Sequence, residues 1–133
     1  VGVKLVLVLG HTRCGAVTST VELMCEDDNA LKVTGCSHLE SIVNEIVPCV
    51  DEETCSEIPR MSQDEKERFI DETARRNVCR SVYEIKARSQ VIRDLVDAGK
   101  VMVVGALYDV KSGKMEFLTD PSAEPEYEQS PQA

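Results

Sequence analysis

His11 and Cys14, which are separated by two residues, are the side chains of this sequence best suited to chemistry. They follow an aliphatic run that ends at Gly10, and Gly15 and a helix-like segment come directly after them. Imidazole nitrogen and thiolate sulfur are donors that zinc accepts, and the positive end of a helix dipole favours the thiolate. Gly10 and Gly15 would let the backbone turn tightly around an ion. The residue types and spacing are compatible with a zinc site that has His11 and Cys14 as ligands, although two residues alone are a weak signal.

Other interpretations of the same residues stay open, because a catalytic zinc has three protein ligands and a water. His11 and Cys14 could be a loop histidine and a buried cysteine without chemistry. Cys14 could instead be a nucleophile activated by His11, or a reactive thiol in a redox protein. Cys36 and His38 could supply a further ligand, but they lie where a helix is predicted to begin, which favours a packing role.

The predicted elements alternate between strands and helices, which indicates an α/β fold. The apolar runs at residues 3–9 and 101–107 predict strands buried on both faces, as in a parallel sheet. Ser37 with Glu40, and Ser62 with Glu65, predict capping boxes at two helix starts. In chain order we expect a strand at 3–9, helices at 16–25, 37–47, 62–87 and 89–98, a strand at 101–107, and a short strand at 115–118.

These elements predict one α/β domain at residues 1–120, with a mainly parallel sheet flanked by helices, and a polar, proline-rich tail at 121–133. Two parallel strands and one antiparallel strand make a thin sheet for this many helices. We therefore expect that the first strands are missing or are supplied by another chain. The chain begins at Val1 rather than Met, which favours missing upstream sequence.

Composition excludes several classes of protein. The net charge of −9 argues against nucleic-acid binding, and no apolar run approaches the roughly 20 residues of a membrane helix. No basic leader with a cleavage site precedes the first strand, so we expect no secretory signal. The irregular spacing of the cysteines favours reduced thiols and a cytoplasmic location. The six cysteines are Cys14, Cys25, Cys36, Cys49, Cys55 and Cys79.

The segment GHTRCGAV at residues 10–17 resembles the second metal-binding motif of β-class carbonic anhydrases, Gly-His-x-x-Cys-Gly after a buried strand. Residues 36–48, CSHLESIVNEIVP, are similar to the helix that follows in that family. Residues 77–118 are similar to its later helices, next strand and closing hairpin, and they include VGALYD at 104–109. The resemblance runs in order over residues 3 to 118.

This resemblance implies a zinc enzyme that interconverts carbon dioxide and bicarbonate, with His11 and Cys14 as two of its three protein ligands. It also implies a homodimer or larger homo-oligomer, because the family builds its sites near a dimer interface. The family's earlier motif, Cys-x-Asp-x-Arg, does not occur in this chain. That motif supplies the third ligand and an Asp-Arg pair that gates the fourth position. A truncated, catalytically inactive domain that acts in oligomerisation or protein interaction is therefore the alternative.

Overall fold

The computed structural model describes residues 2–25 and 39–118 as an α/β arrangement. Its strands are β1 (Leu5–His11), β2 (Met102–Tyr108) and β3 (Met115–Phe117), and its α-helices are α1 (Gly15–Cys25), α2 (Glu40–Ile46), α3 (Glu52–Cys55), α4 (Gln63–Arg88) and α5 (Gln90–Asp97). Two 3₁₀ turns, Val47–Cys49 and Ile58–Arg60, follow α2 and α3. The tail predicted at 121–133 and the predicted capping residue Ser37 lie outside the described residues.

The described sheet has the order β1-β2-β3, with β1 parallel and β3 antiparallel to β2. This mixed sheet confirms the predicted fold class. β2 is central, and its residues from Val103 to Leu107 are buried, as an apolar run in a parallel sheet predicts. Parallel pairing aligns His11 with Tyr108, so the carboxyl ends of both strands meet at one edge.

The prediction that the first strand is buried on both faces is wrong for β1. Exposed and half-buried residues alternate along it, and Leu5, Leu7 and Leu9 are 51%, 40% and 52% exposed. The other face, which includes Gly10, packs against α4. Burial of the leucine face requires a covering layer, and the described residues do not provide one.

The core lies between the sheet, α1, α4 and the segment that follows α2. It contains Val17, Val21, Ile46, Val50, Cys55, Ile58, Phe69, Ala74 and Leu107. No element is expected between the helices predicted at 37–47 and 62–87, but α3 and a 3₁₀ turn form there, because Asp51 caps α3 and the buried Ile58 anchors the segment. Phe69 of α4 is among these buried residues.

Local capping signals set the helix boundaries that are predicted best. Ser62 and Glu65 form the predicted capping box at the start of α4, and Ser89 accepts the Ile92 amide at the start of α5. After α5, Gly99 takes a φ of 64° and the Lys100 amide donates to the Leu95 carbonyl, which is a Schellman ending. None of the residues of α5 is buried.

Cys25 and Cys55 form a disulfide across 30 residues of sequence, so the prediction of reduced thiols is wrong for this pair. Cys55 is buried at the end of α3, beside the core. The bridge ties the end of α1 to α3. Cys14 and Cys79 are free thiols.

Candidate functional site

The predicted site residues lie at the carboxyl end of the sheet, on the turn that joins β1 to α1. His11 is the exposed last residue of β1, and Cys14 is half-buried immediately before α1. The Cys14 carbonyl accepts the Thr18 amide at 2.9 Å and the Thr18 hydroxyl at 3.0 Å, which starts the helix. Strand, turn and helix thus place both side chains where open α/β sheets build sites.

One hydrogen bond orients the imidazole of His11. Its Nδ1 lies 2.9 Å from the Thr12 carbonyl oxygen. Because a carbonyl oxygen can only accept, this contact places the proton on Nδ1 and leaves the lone pair of Nε2 for a ligand. Histidines that bind metals are commonly oriented through their other nitrogen in this way. His11 makes no hydrogen bond to Cys14 among the described residues, so the geometry does not favour the nucleophile interpretation.

Thr12 fixes one side of the turn to the end of β2. Its amide donates to the Tyr108 carbonyl at 2.9 Å, and its hydroxyl donates to Asp109 Oδ1 at 3.2 Å. The same hydroxyl oxygen accepts the Val110 amide at 3.1 Å. Asp109 also accepts the Lys111 amide, so it serves both the hairpin and the site turn.

Arg13 fixes the other side of the turn to α4. Its φ of 57° is left-handed, and among the described residues no other non-glycine residue has a positive φ. Its amide donates to Asp71 Oδ1 at 2.8 Å, and its guanidinium pairs with Glu67 at 3.2 Å. The sequence does not reveal either contact, because the partners are far apart along the chain. The separation is 58 residues for Asp71 and 54 for Glu67.

The two glycines do not make this turn in the way that the sequence suggests. Neither Gly10 nor Gly15 has a left-handed backbone, and the residue of this turn that does is Arg13. A Cβ on Gly10 would overlap Val78 Cγ2, so Gly10 permits the close approach of β1 and α4. A Cβ on Gly15 would meet nothing within 4 Å.

A charged groove of about 220 Å³ lies beside the turn. It is lined by Thr12, Arg13, Asp64, Glu67, Arg68, Asp71, Asp109 and Lys111. Neither His11 nor Cys14 lines it, so the groove adjoins the predicted site without containing its ligands.

His11 and Cys14 are donors of the types that zinc binds, but a catalytic zinc needs a third protein ligand. Thiolate and imidazole are suitable donors, and the hydrogen bond at Nδ1 of His11 leaves its Nε2 unengaged. The described parts of the chain contain no group of three or more potential metal ligands. Cys36 and His38, considered as replacements, lie outside them.

The contacts through which Asp109 links the site turn to the β2–β3 hairpin depend on pH. The hydrogen bond from Ser112, followed by those from the Lys111 amide and Thr12, lowers the pKa of its carboxyl below the usual value. Its stabilising effect is therefore present above the unfolded pKa, near 4, and is lost as the pH falls through the lower folded pKa. We expect Asp109→Asn to lower the melting temperature at pH 7, and we expect this deficit to shrink as the pH falls below the unfolded pKa. A deficit that does not change with pH would contradict this assignment.

His11 and Cys14 thus lie on a turn at the carboxyl edge of a parallel strand pair, within an α/β fold. The family model described as carbonic anhydrase matches residues 1–115, and the chain belongs to that family. None of the helices within the described residues has the length and apolar character needed to cross a membrane.

Individual relatives agree with this membership. The chain is 29% identical over 117 residues to a carbonic anhydrase of Saccharomyces cerevisiae, and the match covers 88% of this chain and 50% of that protein. The crystal structure of the β-carbonic anhydrase CafA of Aspergillus fumigatus is similar with a TM-score of 0.64 and 25% identity, over 92% of this chain and 51% of that chain. The β-carbonic anhydrase CcaA shares the fold, with a TM-score of 0.52 and 14% identity, over 88% of this chain and 51% of that one. The chain thus spans about half the length of these relatives.

Proposed function

We propose that this protein catalyses the reversible, zinc-dependent hydration of carbon dioxide to bicarbonate, with His11 and Cys14 as two zinc ligands. Family membership over residues 1–115 carries the proposal. The position of both residues on the turn after β1, with Nε2 of His11 left free by its Nδ1 contact, supports it.

The chain's own residues would present the donors and hold the turn. His11 offers Nε2 while Thr12 fixes its ring, and Cys14 offers its sulfur from a half-buried position at the start of α1. When bound, zinc supplies Lewis acidity that lets a water molecule lose its proton near neutral pH. The proposal requires at least one further protein ligand from outside residues 2–25 and 39–118, either from this polypeptide or from another copy.

A stopped-flow hydration assay with a pH indicator tests the activity. We expect a zinc-stimulated rate in the wild type that His11→Ala and Cys14→Ser each abolish, because each removes a ligand. Cys79→Ser is the matched control, since it removes a free, half-buried thiol that lies on α4. The same rate in all four proteins, or no response to a chelator, would overturn the catalytic proposal.

A second candidate function is a catalytically inactive member of the family that acts in oligomerisation or protein interaction. The exposed leucine face of β1 and the incomplete ligand set favour it. Both candidate functions predict a homodimer or larger homo-oligomer. Light scattering that finds a monomer at micromolar concentration would contradict this shared prediction and remove the interaction role, whereas zinc-dependent hydration would contradict inactivity alone.

We propose a cytoplasmic location, in which the free thiols of Cys14 and Cys79 would persist. The disulfide between Cys25 and Cys55 is uncommon in that compartment. Fractionation of cells that express the protein, with thiols trapped at lysis, tests the location. Recovery in a secreted or periplasmic fraction would contradict it.

A further inference from the structure

We propose that Asp71 is a positioning residue that fixes the backbone between the two proposed zinc ligands. The inference rests on the proposed function, because it assigns Asp71 a role in the same metal site. Arg13 lies between His11 and Cys14 and has a φ of 57°. Residues other than glycine rarely adopt this backbone conformation, so an interaction is needed to hold Arg13 in it.

Asp71 provides that interaction from a separate element. Its Oδ1 accepts the Arg13 amide at 2.8 Å, a charge-assisted bond to the peptide that joins Thr12 to Arg13. Asp71 lies in the third turn of α4, a 26-residue helix with a complete capping box, so its position does not depend on the site turn. One helical turn earlier, Glu67 pairs with the Arg13 guanidinium, which keeps the side chain on the same helix.

The bond acts on the relative position of the ligands rather than on either one. Thr12 is already fixed to β2 through its amide and to Asp109 through its hydroxyl. The remaining freedom of the turn therefore lies at Arg13, immediately before Cys14. Without Asp71, the backbone of Arg13 can relax towards a right-handed conformation. This change would move the Cys14 side chain away from its position relative to His11. Metal affinity would then fall, because part of the binding free energy would be needed to bring the turn back to this conformation.

Cobalt titration of the full chain tests the role of Asp71. Co²⁺ is the probe, and its thiolate absorption band, absent in Cys14→Ser, reports the bond to Cys14. We expect Asp71→Ala to weaken Co²⁺ binding by about tenfold or more, the range seen when residues that orient metal ligands are replaced. Asp71→Asn retains an oxygen acceptor and should recover most of the affinity. Faster hydrogen exchange at the Arg13 amide in Asp71→Ala should accompany the loss.

Asp64→Asn is the matched control. Asp64 lies seven residues earlier on α4 and lines the same groove, but no described hydrogen bond joins it to the turn. It removes the same charge as Asp71→Asn and should change affinity by no more than about twofold. Equal effects of Asp64→Asn and Asp71→Ala would overturn the positioning role and leave the proposed function intact. A wild type without the Cys14-dependent band would overturn both.

Discussion

Replacement of Cys25 and Cys55 by serine should lower the free energy of unfolding by about 3.5 kcal/mol. The bridge joins residues 30 apart in sequence, and closing a loop of that length removes about this much entropy from the unfolded chain. A domain of this size is stable by only about 5–15 kcal/mol, so the loss would be a large fraction of the total. It would affect the site as well, because α1 begins at the Cys14 turn and ends at Cys25.

Denaturant unfolding with and without a reductant measures this effect. The reductant should shift the wild-type midpoint to that of the double variant and should leave the double variant unchanged. Cys79→Ser serves as the control for loss of a thiol, and its response to reductant should match that of the wild type. A wild-type midpoint that does not respond to the reductant would show that the bridge is absent or contributes nothing.

Gly10→Ala should lower the free energy of unfolding by about 1–2 kcal/mol, although alanine normally stabilises a strand relative to glycine. The new methyl group would overlap Val78 Cγ2 and would lie 3.4 Å from Leu107 Cδ1. Val78 is β-branched and 3% exposed, so it cannot turn away, and overpacking of this kind costs about 1–3 kcal/mol. The entropy gained in replacing glycine offsets only about 0.5–1 kcal/mol of that.

A double-mutant cycle separates the contact from other effects of alanine. In a Val78→Ala background, Gly10→Ala should be neutral or stabilising, because the new methyl group occupies the space that Val78→Ala opens. Gly15→Ala is the matched control, since nothing lies within 4 Å of the position that its methyl group would take and no left-handed φ is required there. Additive effects of Gly10→Ala and Val78→Ala would contradict the proposed clash.

The parts of the fold that sequence predicts well are those that depend on neighbouring residues. Ser62 with Glu65, Ser89 and Gly99 signal helix ends through hydrogen bonds that span a few residues, and each boundary is confirmed within about two residues. The β2 strand is equally predictable, because a continuous apolar run requires burial on both faces and the central strand of the sheet supplies it.

The parts that sequence misses depend on contacts between distant residues. The pairing of Cys25 with Cys55 is one of many that six cysteines allow, and only the fold selects it. Asp71 meets Arg13 because α4 crosses the end of β1, which no local pattern encodes. The apolar run of β1 predicts burial of its leucine face, but a run cannot report whether a covering layer is present.

For the site, sequence identifies the donor residues and misreads the backbone that holds them. His11 and Cys14 are recognised from their types and spacing, and their roles as ligands remain predictions. Glycine is the expected residue for a tight turn because it adopts a left-handed backbone most readily, whereas Arg13 adopts that conformation with help from Asp71. Gly10 is needed instead for the approach of α4, a packing requirement that the sequence does not reveal.

The zinc content of the protein after dialysis, measured by elemental analysis, tests the central proposal most directly. The wild type should retain zinc in stoichiometric amount, and His11→Ala and Cys14→Ser should each lose it while remaining folded by circular dichroism. Cys79→Ser should retain as much as the wild type. A wild type without zinc, or equal zinc in all four proteins, would show that His11 and Cys14 do not hold the metal.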